Sequence, residues 1–302
     1  MATDPFGTAT VHAPIGMVAS ADHLASGAGV AILRAGGTAA DAVVAAGAVL
    51  AVTNQHQNGM GGDLFALVHR PGHPPQALCA AGRAGAGADA IQLRAEGFSA
   101  MPRWGDIRAA TVPGCVDGWV ELHRRYGRLS LAQVLEPATT YAATGFPASD
   151  ELAWAAAAIL DVPGAEDYRD PAMATGGRLA AGTLVRRPGV AAALETVATA
   201  GRAGFYLGEF GAALVELGNG YFTRGDLARS QAEWMIPVRT RAWGHDIWAP
   251  PPPSQGYLTC AGAWVADRLD LPGHDVTGPD DPRWAHLLAE AAPGAGGRRR
   301  WP

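Results

Sequence analysis

The stretch Asn58-Gly59-Met60-Gly61-Gly62-Asp63 runs straight into the apolar segment Leu64-Phe65-Ala66-Leu67-Val68, and it decides how this chain is interpreted. Three glycines in four positions predict a backbone that bends tightly or approaches another group closely, where a Cβ would clash. The apolar segment predicts a strand. We therefore interpret Gly59, Gly61 and Gly62 as a structural glycine loop. Asp63 is more typical of a carboxylate that caps a turn than of a catalyst.

Charge and composition exclude several classes of function. The chain has 302 residues and a net charge of −5, so no basic face is available to bind nucleic acid. Every basic residue is Arg, and the sequence contains no Lys. This absence excludes a P-loop lysine, a Schiff-base lysine and a pyridoxal-phosphate lysine.

Neither a metal site nor a membrane segment is predicted. Cys79, Cys115 and Cys260 are isolated, and the His residues are scattered without ligand spacing. We expect no metal and no cofactor. Residues 1–16 do not resemble a signal peptide, and the apolar run 42–52 is shorter than the about 20 residues that cross a bilayer. The expectation is a soluble cytoplasmic protein without a membrane contact.

The N-terminal third predicts a strand at 15–19 and a helix at 24–34. Thr38 and Asp41 have the spacing of a capping box and open a helix that is apolar nearly all round, from Ala42 to Val52. Such a helix is expected to be buried on every side, inside a layered fold.

The remainder of the chain predicts mainly helices. Ser130 and Gln133 form a second capping-box pattern, and Gly145 closes the helix that follows despite Pro137, which is expected to kink or break it. Ser149 opens another helix. Residues 162–183 have the composition of a surface loop. Further helices are predicted at 113–126, 188–200, 205–217 and 226–233, and short strands at 236–238 and 245–248.

Several segments, taken together and in order, resemble the γ-glutamyltranspeptidase family of N-terminal nucleophile hydrolases. The resemblance covers nearly all of residues 14–291. Its principal motifs are Gly16-Met17-Val18-Ala19-Ser20, His23-Leu24-Ala25-Ser26, Leu33-Arg34-Ala35-Gly36-Gly37-Thr38-Ala39-Ala40-Asp41-Ala42, Gly59-Met60-Gly61-Gly62-Asp63-Leu64-Phe65, Thr111-Val112-Pro113-Gly114, Leu135-Glu136-Pro137-Ala138, Gly145-Phe146-Pro147, Phe205-Tyr206-Leu207-Gly208, Pro251-Pro252-Pro253-Ser254-Gln255-Gly256 and His286-Leu287-Leu288-Ala289-Glu290-Ala291.

The resemblance implies an α/β fold of the αββα sandwich type, in which a precursor cuts itself into a large and a small chain. It also implies γ-glutamyl transfer from a small molecule such as glutathione to water or an amine, through an acyl-enzyme on the small chain's N-terminal Thr. This sequence corresponds to the large-chain region only, so we expect a single incomplete domain over 1–302, no catalytic residue in this chain, and a small-chain partner.

The end of the chain departs from the family pattern. Ala292-Pro293-Gly294-Ala295-Gly296-Gly297 is expected to break a helix that the family continues, and we interpret 292–302 as an aberrant Gly/Arg-rich tail. We expect that a truncation or frameshift near residue 291, rather than a naturally separate large chain, explains this tail and the absence of the Thr motif. The chain alone is predicted to be inactive.

Substrate binding is the second departure. The family's large chain contributes an Arg, after the strand that follows the glycine loop, which pairs with the α-carboxylate of the glutamyl group. The candidate here is Arg83, although aligning Ala84 with the family's Ala puts Ala81 at the usual Arg position. Arg83 either binds from a shifted register or is an exposed loop residue.

Three functional hypotheses remain open. The first is the large-chain portion of a γ-glutamyltransferase or glutathione hydrolase. The second is a non-catalytic truncated remnant or binding partner. The third is the scaffold half of a related amide acylase, which follows if Arg83 does not bind the glutamyl group.

Overall fold

A computed structural model describes residues 11–102, 105–159, 162, 165–169, 177–269 and 281–296. Within these ranges the helices are α1 (His23–Arg34), α2 (Ala39–Thr53), α3 (Ala90–Ala95), α4 (Cys115–Tyr126), α5 (Leu131–Thr144), α6 (Asp150–Ala156), α7 (Pro188–Tyr206), α8 (Glu209–Gly218), α9 (Arg224–Ala228), α10 (Gly256–Arg268) and α11 (Pro282–Gly296). The strands are β1 (Leu64–Val68), β2 (Gln76–Ala80), β3 (Phe146–Pro147), β4 (Leu184–Val185), β5 (Glu233–Met235), β6 (Val238–Ala242) and β7 (His245–Ala249).

The chain divides into two compact units, each built from two separate stretches of sequence. Unit 1 contains Met1–Gly59 and Val120–Gly208, and unit 2 contains Met60–Trp119 and Glu209–Pro302. The elements of the first are mainly helices, whereas the second combines helices with two antiparallel sheets. The predicted α/β class is confirmed.

Helix α2 is the centre of unit 1 and packs against α1 and α5, while α5 also packs against α7. The predicted capping box is present: Thr38 Oγ1 accepts the Asp41 N–H, and Asp41 Oδ2 accepts the Thr38 N–H at 2.8 Å. Asp41 is fully buried, and the same carboxylate oxygen accepts the Arg128 N–H at 2.9 Å. Burial of α2 is nearly complete as predicted, but Val43 is 54% exposed.

One local prediction for unit 1 is wrong. Residues 15–19 form no strand, and Ile15 is 84% exposed, because this segment pairs with no neighbouring strand among the described residues. Pro137 lies inside α5, which continues to Thr144. The capping box at Ser130 and Gln133 fixes the start of that helix as predicted, and Ser149 caps α6. Of the predicted loop 162–183, residues 163–164 and 170–176 lie outside the described residues.

Unit 2 contains a three-stranded antiparallel sheet in the order β1-β2-β5. Leu64 pairs with Ala80 at one end of the β1–β2 ladder, and Val68 pairs with Gln76 at the other. Strands β6 and β7 form a separate hairpin, against which α10 packs, and α10 also contacts α11. The turn at Asn219-Gly220 has both residues at positive φ, as the Asn-Gly pattern predicts.

Two further predictions are corrected in unit 2. The helix expected over 226–233 ends at Ala228, and Glu233 begins β5, which pairs with β2. Helix α11 continues to Gly296, so the break expected at Ala292 is not observed. Pro293 removes one backbone N–H donor from this helix, and glycine can adopt helical angles. Residues 297–302 lie outside the described residues.

Candidate functional site

The glycine loop and the loop that carries Arg83 lie at the same end of the β1–β2 hairpin in unit 2. Pairing of Leu64 with Ala80 puts the residues before β1 beside the residues after β2. The carbonyl oxygen of Gly62 then accepts the N–H groups of Gly114 at 2.8 Å and Cys115 at 2.9 Å. The structure therefore brings together two segments that the sequence analysis identified separately.

The steric explanation of the glycine loop does not hold at Gly61. No atom lies within 4 Å of a Cβ built on Gly61, and Gly61 and Gly62 are exposed. Gly59 is half-buried. The structural role seen at this loop is that of the Gly62 carbonyl oxygen, which accepts hydrogen bonds from backbone N–H groups at the start of α4.

A close backbone approach does occur at Gly82, immediately before Arg83. Gly82 has a φ of +79°, and a Cβ there would overlap the carbonyl oxygen of Val112. The Val112 N–H donates to the Arg83 carbonyl oxygen at 2.8 Å, so the two segments run side by side. Gly85 is equally restricted, because its Cβ would overlap the carbonyl oxygen of Tyr221. Glycine at these positions lets the Arg83 loop pack between two other backbones.

Arg83 is exposed, but its side chain is tethered at one end. Its Nη1 donates to the Ser230 carbonyl oxygen at 2.7 Å and to Gln231 Oε1 at 3.3 Å. Within the described part of the chain, Nε and Nη2 have no hydrogen-bond partner. These two nitrogens form one edge of the planar guanidinium, and such an edge binds a carboxylate through two parallel hydrogen bonds.

The carboxylate of Asp226 holds the far end of the same loop. Its Oδ2 accepts the Ala86 N–H at 3.0 Å, the Thr223 N–H at 2.9 Å and the Thr223 hydroxyl at 2.8 Å. Partial burial alone would raise the pKa of Asp226, but the hydrogen bonds from Ala86 and Thr223 outweigh it and lower the pKa below its ordinary value. Asp226 is therefore ionised at neutral pH.

The cysteines do not offer a nucleophile. Burial raises the pKa of the Cys115 thiol to about 12, and the nearby Asp63 carboxylate adds to this effect. Burial also raises the pKa of Cys260. The reactive form of cysteine is the thiolate, which such pKa values disfavour at neutral pH. All three cysteines are buried and free.

Asp63 is exposed, and its carboxylate accepts no hydrogen bond from any described residue, so the expected capping role is not observed.

Within the described ranges, no group of three or more His, Cys, Asp or Glu side chains is arranged to hold a metal ion. The same ranges contain no helix that is long and apolar enough to cross a membrane.

Sequence reasoning missed the residues that hold the Arg83 loop. Gln231 and Asp117 are buried, with 5% and 3% of their surface exposed, and the Gln231 N–H donates to Asp117 Oδ2 at 2.8 Å. The signal for Asp226 was readable, because Thr223-x-x-Asp226 is a capping-box pattern. No local pattern marks Gln231, because its partners lie up to 148 positions away.

Comparison with known proteins gives a consistent result. The family model for gamma-glutamyltranspeptidase matches residues 25–301. Over 260 residues the chain is 37% identical to a glutathione hydrolase-like YwrD proenzyme of Bacillus subtilis, covering 84% of this chain and 49% of that protein. It is 35% identical over 289 residues to an oxamate amidohydrolase proenzyme of Klebsiella pneumoniae, covering 91% of this chain and 53% of the relative. The chain thus spans about half the length of these curated relatives.

Among solved structures, the chain resembles gamma-glutamyltranspeptidase of Helicobacter pylori. The two superpose with a TM-score of 0.86 at 26% sequence identity, and the match covers 95% of this chain and 84% of that one. The likeness therefore extends over almost the whole sequence.

Proposed function

Because this chain belongs to the gamma-glutamyltranspeptidase family, we propose that it supplies the acyl-donor-binding half of an enzyme that transfers a γ-glutamyl group to water or an amine. In this proposal Arg83 binds the α-carboxylate of the acyl donor, a γ-glutamyl small molecule such as glutathione. A Thr in a complementary small chain forms the acyl-enzyme.

The observation that carries the proposal is the free Nε–Nη2 edge of Arg83. The Nη1 end of the guanidinium donates to the Ser230 carbonyl oxygen at 2.7 Å, which leaves the opposite edge directed away from that contact. Arg is always protonated at neutral pH, and it matches a carboxylate in both charge and geometry. The loop has backbone contacts on two sides, at Val112 and Tyr221, that fix where Arg83 stands.

The catalytic nucleophile is proposed to come from outside residues 1–302. The relatives are named as proenzymes, and this chain corresponds to about half of their length. The described cysteines are poor candidates because Cys115 and Cys260 have raised pKa values. We therefore expect no turnover of a γ-glutamyl anilide by residues 1–302 alone, and turnover when a small chain is supplied.

A related amide acylase is the second candidate function. It is favoured by the position of Arg83, two residues beyond Ala81, which aligns with the family's usual Arg. A shift of two residues moves the charge relative to the rest of the site, which would suit an acyl group with its carboxylate at a different distance from the amide. The 35% identical relative is named for oxamate, whose carboxylate is bonded directly to the amide carbon.

Kinetics of the complete protein test the proposal. We expect Arg83→Ala to raise KM for a γ-glutamyl anilide about 100-fold, because it removes one partner of a charged hydrogen-bonded pair. The value of kcat should stay within about twofold, because the contact is the same in the ground and transition states. Arg94→Ala is the matched control, since Arg94 is an exposed Arg on α3 in the same unit. An unchanged KM in Arg83→Ala would contradict the proposal.

Activity toward different acyl donors distinguishes the acylase from the γ-glutamyl transferase. A panel of amides that place the carboxylate one, two or four bonds from the scissile carbon identifies the preferred spacing. If a short spacing is preferred and Arg83→Ala abolishes that preference, the second candidate replaces the first.

A further inference from the structure

Gln231 is buried against the Arg83 loop, and every hydrogen-bonding position of its side-chain amide is occupied. Its Oε1 accepts the Arg83 N–H at 3.1 Å and Arg83 Nη1 at 3.3 Å. Its Nε2 donates to the carbonyl oxygens of Asp226 at 3.2 Å and Arg229 at 2.8 Å. From these contacts we propose that Gln231 is a positioning residue, which fixes the direction in which Arg83 presents its free edge to a carboxylate-bearing acyl donor.

The orientation of the Gln231 amide follows from its partners. The Asp226 and Arg229 carbonyl groups can only accept, so the NH₂ group must face them. Both Arg83 groups can only donate, so Oε1 must face Arg83. If the amide were reversed, its oxygen would face the two carbonyl oxygens and its NH₂ group would face the Arg83 donors, so all four hydrogen bonds would be lost. The side chain therefore has one orientation, and Arg83 meets a fixed acceptor.

The backbone of Gln231 is also fixed by a hydrogen bond. Its backbone N–H donates to Asp117 Oδ2 at 2.8 Å, and only 5% of the residue is exposed. Asp117 is a buried residue of α4. The first residue of that helix, Cys115, donates its N–H to the Gly62 carbonyl oxygen. The support of Arg83 thus runs from the start of α4, through a buried carboxylate and a buried amide, to an exposed guanidinium.

A neutral acceptor is the side chain that this position requires. A carboxylate at position 231 would form an ion pair with Arg83 and compete with the carboxylate of the acyl donor. An apolar side chain would leave the guanidinium free to adopt other rotamers, which the ligand would then have to order on binding. The neutral amide of Gln231 accepts a hydrogen bond from the Arg83 guanidinium without neutralising its positive charge, so that charge can still bind the carboxylate of the acyl donor.

Two anilides that differ only in the α-carboxylate test this role in the complete protein. One carries a γ-glutamyl group and the other a 4-aminobutanoyl group. We expect Gln231→Met to raise KM for the γ-glutamyl anilide about tenfold, the loss expected when an ordered side chain must be immobilised by the ligand. The value of kcat, and both constants for the 4-aminobutanoyl anilide, should not change. Gln92→Met is the control, because Gln92 is an exposed Gln of unit 2 whose amide binds Glu96.

Gln231→Glu is the second variant; it keeps an acceptor toward Arg83 but puts a carboxylate oxygen against the Asp226 and Arg229 carbonyl groups, so its activity toward the 4-aminobutanoyl anilide is the control for folding. It keeps the length of the side chain, and we expect it to raise KM for the γ-glutamyl anilide more than Gln231→Met does. Equal losses for both anilides, in either variant, would mean that Gln231 only supports the fold and would overturn the inference. Wild-type KM values in both variants would also overturn it.

The inference rests on the proposed function, and a measurement without substrate separates the two. If the wild-type protein does not prefer the γ-glutamyl anilide, the proposed function fails. The Nη–H resonances of Arg83, assigned by their loss in Arg83→Ala, then decide the role of Gln231 independently, because Nη1 is the nitrogen that Gln231 binds. Faster rotation and hydrogen exchange of these Nη hydrogens in Gln231→Met support positioning, and unchanged Nη resonances contradict it.

Discussion

At the scale of single residues, the carboxylate of Asp226 joins a helix start to the Arg83 loop. It is the third residue of α9 and completes the capping box with Thr223, and it also accepts the Ala86 N–H from a loop 140 positions away. A carboxylate that caps a helix thus anchors a binding loop at the same time. Fully buried Asp41 plays the same double role in unit 1, where it completes the box of α2 and accepts the Arg128 N–H.

Removing the Asp226 carboxylate should destabilise the protein in a pH-dependent way. We expect Asp226→Ala to lower the free energy of unfolding by about 1–3 kcal/mol at pH 7, because three donors lose their acceptor. The pKa of Asp226 is lowered in the folded state, so its contribution is complete above the ordinary pKa of 3.8 and is lost as the pH falls through the folded value. The difference from wild type should therefore shrink at low pH.

Denaturant titrations at pH 7 and pH 3 measure this difference. Asp246→Ala is the comparison, because Asp246 is an exposed partner of Arg239 and such pairs contribute about 0–1 kcal/mol. An Asp226→Ala loss that is no larger than the Asp246→Ala loss would show that the carboxylate does not hold the loop.

The Cys115 thiol should resist modification in the folded protein. Its pKa of about 12 leaves almost no thiolate at pH 8, and it is buried. We expect mass spectrometry to find Cys115 unlabelled by iodoacetamide in the native state and labelled after unfolding. Rapid native labelling of Cys115 would show that the thiol becomes exposed without unfolding of the protein.

At the scale of elements, helix starts were more predictable than strands. The capping boxes at Thr38 and Ser130 fix α2 and α5, because the residues that satisfy the first N–H groups are close in sequence. Strand β5 was missed, since its pairing with β2 joins residues more than 150 positions apart and leaves no local pattern. The end of α5 was predicted at Gly145, and the helix does run through Pro137 to Thr144, where packing against α2 and α7 stabilises it.

The Arg83 loop should depend on Gly82 more than on another glycine with the same backbone angle. Gly82 and Gly72 both have positive φ, at +79° and +77°. Only Gly82 faces a neighbouring backbone, whereas a Cβ at Gly72 meets nothing within 4 Å. Gly72→Ala should therefore cost about 1 kcal/mol for its φ alone, and Gly82→Ala clearly more.

Unfolding midpoints and hydrogen exchange of residues 81–88 check this prediction. We expect faster exchange of the loop in Gly82→Ala and wild-type exchange in Gly72→Ala. Equal effects of the two substitutions would mean that the contact with Val112 does not restrict the loop.

At the scale of the whole molecule, the ordered set of motifs identified the family correctly, and the fold class with it. The match of the family model over residues 25–301 and the TM-score of 0.86 agree with that prediction. The site was less accessible to sequence reasoning. Arg83 was identified as a candidate, but the residues that orient it could not be, because Gln231 and Ser230 approach it only through the tertiary fold.

The central claim is that Arg83 binds the carboxylate of the acyl donor through Nε and Nη2. A crystal structure of the complete protein with bound glutamate tests it most directly. We predict one carboxylate of glutamate within about 3 Å of both nitrogens, with Nη1 still bound to the Ser230 carbonyl oxygen. A glutamate bound in the site by other residues, with the Nε–Nη2 edge of Arg83 facing solvent, would contradict the claim.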